Sequence, residues 1–195
     1  MSVVEGVAQA MARKHRYDVR LPIHRLSTMP NATDQNAAVV LSPASHADLE
    51  QLVAIRIEAM RESLQRVGRF DPARARERFV AGFDATCTRG IEVAGELVGF
   101  VVIKDQQGEL LLDHLYVKPS AQGAGIGATV LAQIFKEADE LGRSIRVGAL
   151  KESASNRFYQ RHGFVWVRSG EFDHYYVRVS GKGVAKPGAR WPAGA

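Results

Sequence analysis

The stretch YVKPSAQGAGIGATVLAQIF, which runs from Tyr116 to Phe135, decides the fold. Three glycines at alternate positions, Gly123, Gly125 and Gly127, separate a run of β-branched and aromatic residues from a run with helical periodicity. Glycines before a helix let backbone N–H groups approach an anion, and the helix dipole adds positive charge at the same end. The stretch therefore predicts a strand, an anion-binding loop and a helix.

The segments around this stretch predict the element order β-α-α-β-β-β-α-β-α-β-β. Three β-prone runs, TRGIEVAG, ELVGFVVIKDQ and GELLLDHLYV, follow one another through short links, as in antiparallel hairpins. The helix after the glycine loop leads to the strand RSIRVGALK, which requires a parallel crossover. A short helix, SASNRFYQRHG, and a last hairpin, FVWVRSGEFDHYYVRVS, complete the pattern. The sequence thus predicts one mixed α/β domain of the α+β class.

Composition divides the chain into a central domain and two tails. A chain of 195 residues fits one domain with a substantial core. Residues 1–36 are rich in loop-forming residues and predict a flexible arm, whereas residues 181–195 are rich in Gly, Pro and Ala and predict a flexible tail. We expect the folded domain at residues 37–180.

Bulk composition limits the classes of partner. No apolar run approaches the roughly 20 residues that span a bilayer, so we expect no membrane partner. The single cysteine, Cys87, cannot form an internal disulfide, which suits the cytoplasm. A net charge of +5 favours anionic partners. The basic residues are scattered without interleaved aromatics, which disfavours nucleic acid.

Two other phosphate-binding classes fit the glycine loop poorly. GAGIGA matches the dinucleotide fingerprint G-x-G-x-x-G/A, but that fingerprint belongs on the first strand-to-helix turn of a repeated parallel fold. Here it follows an antiparallel series, with too little chain left for a doubly wound sheet. The loop also lacks Gly-Lys-Ser/Thr, which argues against a nucleoside triphosphatase.

Two motifs resemble those of the GNAT N-acetyltransferase superfamily. The segment V-x-P-x-x-Q-G-x-G-I-G, from Val117 to Gly127, resembles the loop that surrounds the pyrophosphate of acetyl-coenzyme A. The segment SNRFYQRHGF, from Ser155 to Phe164, resembles the family's downstream motif. The resemblance covers roughly residues 38–179. It implies a mostly antiparallel sheet of about seven strands with a splayed parallel pair, and about four helices.

The resemblance implies acetyl transfer from acetyl-CoA to a primary amine of a small molecule or peptide. The backbone of the strand before the loop would pair with the pantetheine arm, and the loop amides would bind the diphosphate. The departure from the family's usual asparagine after VGALK leaves Ser153 or Asn156 to replace that contact. The cofactor-binding residues implied are Leu115, Tyr116, Val117, Gln122, Gly123, Ala124, Gly125, Ile126, Gly127, Ala128, Ser153, Asn156 and Tyr159.

Catalysis would require an acid for the leaving thiolate and a base for the amine. By resemblance, Tyr159 is the general acid. For the base, Asp113 is the first choice, His114 the second and Glu109 the third, and a water chain is a further alternative. Strict alternation places Asp113 and Glu109 on the strand face opposite His114, although a β-bulge would exchange the faces.

The acceptor is not identified by the sequence. In the GNAT fold it would lie against the first two helices and the last hairpin, which makes Glu58, Arg61 and Glu62 candidate substrate-binding residues. No metal is implied, and a homodimer is left open. Two alternatives of other classes are a catalytically silent acyl-CoA-binding regulatory module and a nucleic-acid-binding protein that uses its basic arms.

Overall fold

The structure is a computed structural model that describes residues 38–106 and 108–181. The predicted arm, residues 1–36, and residues 182–195 of the predicted tail lie outside the described residues. Within the described part no helix is both long and apolar enough to cross a bilayer.

Seven strands and four α-helices form the described part of the chain, in the predicted order. The strands are β1 (Val39–Pro43), β2 (Thr88–Val93), β3 (Glu96–Gln106), β4 (Glu109–Val117), β5 (Ser144–Leu150), β6 (Val165–Ser169) and β7 (Asp173–Arg178). The helices are α1 (Leu49–Arg66), α2 (Pro72–Gly82), α3 (Ile126–Glu140) and α4 (Ala154–Arg161). Short 3-10 turns precede α1, β2 and the glycine loop.

The strands form one sheet in the order β1-β2-β3-β4-β5-β7-β6. All neighbouring strands are antiparallel except β4 and β5, which α3 connects as a parallel pair. Ala94 and Gly95, both with positive φ, make the tight turn between β2 and β3, as the right-handed twist of a hairpin favours. The predicted mostly antiparallel sheet with one parallel pair is confirmed.

Helices pack on both faces of the sheet. The first cluster, called the α3 core, joins the sheet to α3 and α4, and its buried members include Val101, Leu112, Val130, Leu131, Ile134, Ile145 and Tyr176. The second, called the α1–α2 core, includes Leu52, Val53, Ile55, Phe79, Phe100 and Val102. Side chains alternate along β3. Val101 therefore points into the α3 core, whereas its neighbours Phe100 and Val102 point into the α1–α2 core.

A β-bulge at Asp113 corrects the faces that strict alternation assigns to β4. Val102 pairs with His114 and Ile103 pairs with Leu112, which leaves Asp113 without an opposite residue on β3. Consequently Leu115 and Val117 pack on the α3 core, as Leu110 and Leu112 do, although alternation puts the two pairs on opposite faces. The extra residue exchanges the faces to which the later side chains of β4 point. The sequence analysis left this exchange open as an alternative.

The parallel strands separate immediately after the bulge. Pairing between β4 and β5 extends from Glu109 with Ser144 to Leu112 with Val147. Beyond it, the end of β5 pairs only with β7, up to Leu150 opposite Asp173. The remainder of β4 therefore faces a gap, called the β4–β5 gap, that opens next to the glycine loop.

Candidate active site

The glycine loop has the geometry of an anion cradle. Gly123 and Gly125 have φ values of 82° and 78°, a conformation that favours glycine, and a Cβ at either position would meet no atom within 4 Å. Gly125 caps α3, and Thr129 donates to its carbonyl at 3.0 Å. The amides of the first helical turn, including Ile126 and Ala128, therefore point out of the helix end, together with the positive dipole end.

The other residues of the loop have supporting contacts. A Cβ on Gly127 would lie 3.2 Å from the Phe158 ring, so this glycine allows α3 to pack closely against α4. Ile126 is buried in the α3 core, which fixes the start of the helix. The Gln122 side chain donates to the Val117 carbonyl at 2.9 Å and ties the loop to β4, while Ala124 lies between the two positive-φ glycines.

The edge of β4 presents alternate backbone groups to the β4–β5 gap. Lys118 donates its N–H to the Val98 carbonyl at 2.8 Å, which orients this residue and, by alternation, Tyr116 towards β3. The backbone groups of Leu115 and Val117 consequently point to the gap. Of the three predicted strand residues, these two have the orientation that pairing with an extended amide-containing ligand requires.

The predicted contacts at the start of α4 are used within the protein. Asn156 donates its amide to the Leu150 carbonyl at 2.8 Å and accepts the Tyr176 hydroxyl at 2.9 Å. The Ser153 hydroxyl also donates to the Leu150 carbonyl, at 2.6 Å. Both side chains hold α4 against β5 and β7, and their direct role towards a cofactor stays a prediction.

Tyr159 combines a buried ring with an uncommitted hydroxyl. Its ring packs in the α3 core and contacts Phe164 with 5.4 Å between centroids. Among the described residues no hydrogen bond of the hydroxyl is found. Burial raises the pKa of Tyr159 well above its usual value, with a smaller effect from Tyr116. The phenol is therefore fully protonated at neutral pH and able to donate.

The structure pairs two of the three candidate bases with cations. Asp113 lies at the bulge with its carboxylate 2.6 Å from the Lys104 ammonium. Glu109 lies 2.5 Å from Arg146, where β4 and β5 are still paired, rather than at the gap. Both carboxylates are therefore engaged by a cation within the protein, and their role as a base stays a prediction.

His114, the remaining candidate, lies in an aromatic cluster. Its ring contacts Phe79, Phe100 and Tyr116, with centroid separations of 5.6, 6.3 and 5.6 Å. Burial lowers the pKa of His114 to about 4, and the nearby Asp113 carboxylate, 3.9 Å away, only partly offsets this effect. The imidazole is therefore neutral at pH 7 but a poor base.

We expect His114 to destabilise the protein on acidification. Its pKa falls from 6.5 to about 4 on folding, so below pH 6.5 the unfolded chain binds the extra proton and is favoured. Stability is complete above the unfolded pKa and is lost towards pH 4, by on the order of 3 kcal/mol. Urea unfolding across this pH interval should show that the unfolding free energy of His114→Phe increases relative to that of the wild type as the pH falls.

The matched control for this measurement is the exposed His46. A His46→Gln variant removes an exposed imidazole, and its unfolding is measured over the same pH interval. If the difference in unfolding free energy between His114→Phe and the wild type stayed constant across the interval, the conclusion that the buried imidazole is neutral would be refuted.

The three predicted substrate-binding residues lie on the exposed surface of α1. Glu62 pairs with Arg66 at 2.6 Å, one helical turn away. The Arg61 guanidinium lies 4.9 Å from the centroid of the Phe70 ring. Glu58 is exposed. The role of these side chains towards an acceptor stays a prediction.

The sequence analysis missed two charged residues: Arg56, which lies near the Tyr116 ring of β4, and Asp173, which lies opposite the last residue of β5. The Arg56 guanidinium lies 6.0 Å from the Tyr116 ring centroid and donates to the Ala75 carbonyl at 2.8 Å. Asp173 stands opposite Leu150 at the open end of β5, and burial raises its pKa. One signal was available, since Arg56 interrupts the apolar run LVAIRI on the buried face of a helix.

Comparisons with known proteins support this geometry. Residues 84–166 match the family model described as an acetyltransferase (GNAT) domain, a range that contains both motifs. No curated protein matches the sequence. Among solved structures, the chain resembles the PaiA N-acetyltransferase of Thermoplasma acidophilum in complex with coenzyme A. That match has 18% identity and a TM-score of 0.62, over 73% of this chain and 99% of that one.

Two further structures share the fold. An acetyltransferase from Thermus thermophilus is 18% identical with a TM-score of 0.58, over 72% of this chain and 96% of that one. Ard1 from Thermoplasma volcanium is 20% identical with a TM-score of 0.54, over 73% of this chain and 98% of that one. The family match and the shared fold agree: residues 84–166 match a GNAT acetyltransferase domain, and the described part of the chain has the fold of solved acetyltransferases.

Proposed function

We propose that the protein transfers the acetyl group of acetyl-CoA directly to a primary amine of a small molecule or peptide. The observation that carries the proposal is the β4–β5 gap, which opens at the strand end beside the outward-pointing amides of the glycine loop. A diphosphate and a thioester arm need these two features together. The Thermoplasma acidophilum structure, a complex with coenzyme A, supports the same ligand.

The glycine loop supplies the binding of the diphosphate. Gly123 and Gly125 leave open space over the amides, and side chains there would be strained by the positive φ. The α3 dipole favours an anion at this position. No lysine is required, because backbone N–H groups and the dipole provide the positive potential.

The β4 edge orients the reacting arm. The backbone groups of Leu115 and Val117 can pair with pantetheine amides as a neighbouring strand would. A gap-facing N–H here can also donate to the thioester oxygen as negative charge develops on it. Acetyl-CoA, when bound, supplies an activated acyl carbon and a thiolate leaving group.

Tyr159 supplies the proton that the leaving group requires. The amine lone pair attacks the acyl carbon, a C–N bond forms, the C–S bond breaks, and the Tyr159 hydroxyl protonates the departing sulfur. The amine gives up one proton to a base or to water, and Tyr159 is reprotonated from solvent. The hydroxyl suits this role because it is protonated and has no partner among the described residues.

Two measurements test this function. Acetyl-CoA at a hundredfold its dissociation constant should stabilise the protein by about 2.7 kcal/mol in thermal unfolding, while NAD should have no effect. Free-thiol release should then follow the addition of an amine from a panel of polyamines, amino acids, aminoglycosides and peptides. Binding without release by any amine would favour the silent regulatory module, and stabilisation by NAD alone would refute the assignment.

A further inference from the structure

Asp173 lies beside the end of β5 that no longer pairs with β4, on the β7 side of that strand. It is the first residue of β7 and stands opposite Leu150, three residues beyond the last position of β5 that pairs with β4. Tyr176 points into the α3 core. Alternation along β7 therefore places Asp173 on the opposite face, which is the face that α1 and α2 cover.

The Asp173 carboxylate is half-buried. Among the residues that the structure describes, it makes no hydrogen bond or ion pair. Burial raises its pKa, and His174 and Lys151 offset this rise only in part. A partly desolvated carboxylate without a partner favours a ligand that brings a cation or an N–H donor.

Arg56 offers the complementary charge on the same face. Its guanidinium lies 5.9 Å from the centroid of the Phe79 ring and 6.0 Å from that of Tyr116. One terminal nitrogen donates to Ala75 of α2, and no carboxylate pairs with Arg56 in the described part of the chain. A guanidinium in this setting favours an anion that can accept two parallel hydrogen bonds.

Tyr116 links the two charges. Burial raises the pKa of the Tyr116 hydroxyl, Arg56 opposes that rise through charge and a hydrogen bond, and Asp173 adds to it. Both charged groups therefore act electrostatically on the same hydroxyl, and their effects on its pKa have opposite signs. Asp113 also raises the pKa of the Tyr116 hydroxyl, but its carboxylate is paired with the Lys104 ammonium.

We propose that the acceptor is a zwitterionic, amino-acid-like amine, with its amine at Asp173 and its carboxylate at Arg56. The inference rests on the proposed acetyl transfer and names the substrate class for that site. Asp173 would hydrogen-bond the ammonium group and take one proton from it, which leaves a neutral nitrogen for attack on the acyl carbon. A polyamine would instead place a second cation beside Arg56.

The test compares acceptors that differ only in the anionic group. Thiol release is measured with a panel of L-amino acids, each paired with its carboxamide. The wild type should use the best acid with kcat/KM at least about tenfold above its amide, since a charged hydrogen-bond partner contributes about 1.5–3 kcal/mol. Arg56→Gln should lower kcat/KM for the acid and leave that for the amide unchanged.

The remaining variants separate recognition from structure. Asp173→Asn should lower kcat/KM for acid and amide alike, because both present the same amine. The controls Glu171→Gln on the last hairpin and Arg78→Gln on α2 remove one exposed charge each and should leave both values unchanged. Arg56→Lys keeps the charge next to α2, so it should retain a preference for the acid even if Arg56→Gln folds poorly.

Several outcomes would overturn the inference. An amide as good as its acid in the wild type, or an Arg56→Gln variant that lowers both acceptors equally, would remove the anion site while acetyl transfer stood. A preference for polyamines over every amino acid would also overturn the proposed acceptor class and leave the proposed acetyl transfer intact. Silence with all amines would overturn the proposed function itself, and the acceptor class with it.

Discussion

Replacement of Tyr159 by phenylalanine is expected to lower kcat at least about 100-fold, the range typical of a lost general acid. Affinity for acetyl-CoA should not change, because the ring still packs in the α3 core and contacts Phe164. The departing thiolate would then leave without a proton donor. Single-turnover thiol release measures the chemical step, and a fluorescence or calorimetric titration measures the affinity.

Tyr176 is the matched control for this substitution. It is also a buried tyrosine of the α3 core, and burial raises its pKa too, but its hydroxyl donates to Asn156. Tyr176→Phe should cost about 1 kcal/mol of stability through the lost hydrogen bond and leave kcat near the wild-type value. Equal rates for Tyr159→Phe and the wild type would exclude the tyrosine as the acid.

Introduction of a carboxylate at Gly125 is the second change with a large expected effect. Gly125→Asp should weaken acetyl-CoA binding at least about 100-fold, since like charges about 4 Å apart repel by about 4 kcal/mol near a protein surface. A Cβ at this position has open space and would meet no protein atom within 4 Å. It would therefore point towards the position assigned to the diphosphate.

Gly142 provides a control with the same backbone cost. It has a φ of 66° and open space around a Cβ, but it lies just beyond the other end of α3. Gly142→Asp should show a similar loss of stability from the left-handed conformation and keep the wild-type affinity for acetyl-CoA. Equal losses of affinity in both variants would mean that strain, and not an anion site at Gly125, explains the effect.

The sequence was sufficient for the fold because its strongest signals are local. Gly125 and Gly163 mark helix boundaries, and short links between the β-prone runs leave hairpins as the simplest connection. Helical periodicity in the sequence predicts one face of α3 made of six residues, and four of them are buried: Val130, Leu131, Ile134 and Ala138, with Phe135 and Leu141 as the other two. It failed at Leu141, which is 63% exposed, because that residue lies beyond the end of the helix.

The chemistry of the candidate site was harder to predict because it depends on contacts between distant segments. The pairing of Asp113 with Lys104 requires the β3–β4 register, including a bulge that no turn residue announces. Asp173 and Arg56 are far apart along the chain, and only the sheet order and the α1–α2 layer place them on one face. Exposed charges such as Glu62 were equally plausible from sequence.

The most direct test of the account is a crystal structure with coenzyme A. The account predicts diphosphate oxygens within hydrogen-bond distance of the amides between Gly123 and Ala128. It also predicts the pantetheine arm along the gap-facing backbone of Leu115 and Val117, with its sulfur next to the Tyr159 hydroxyl. Coenzyme A bound elsewhere, with the β4–β5 gap closed by side chains, would contradict the account.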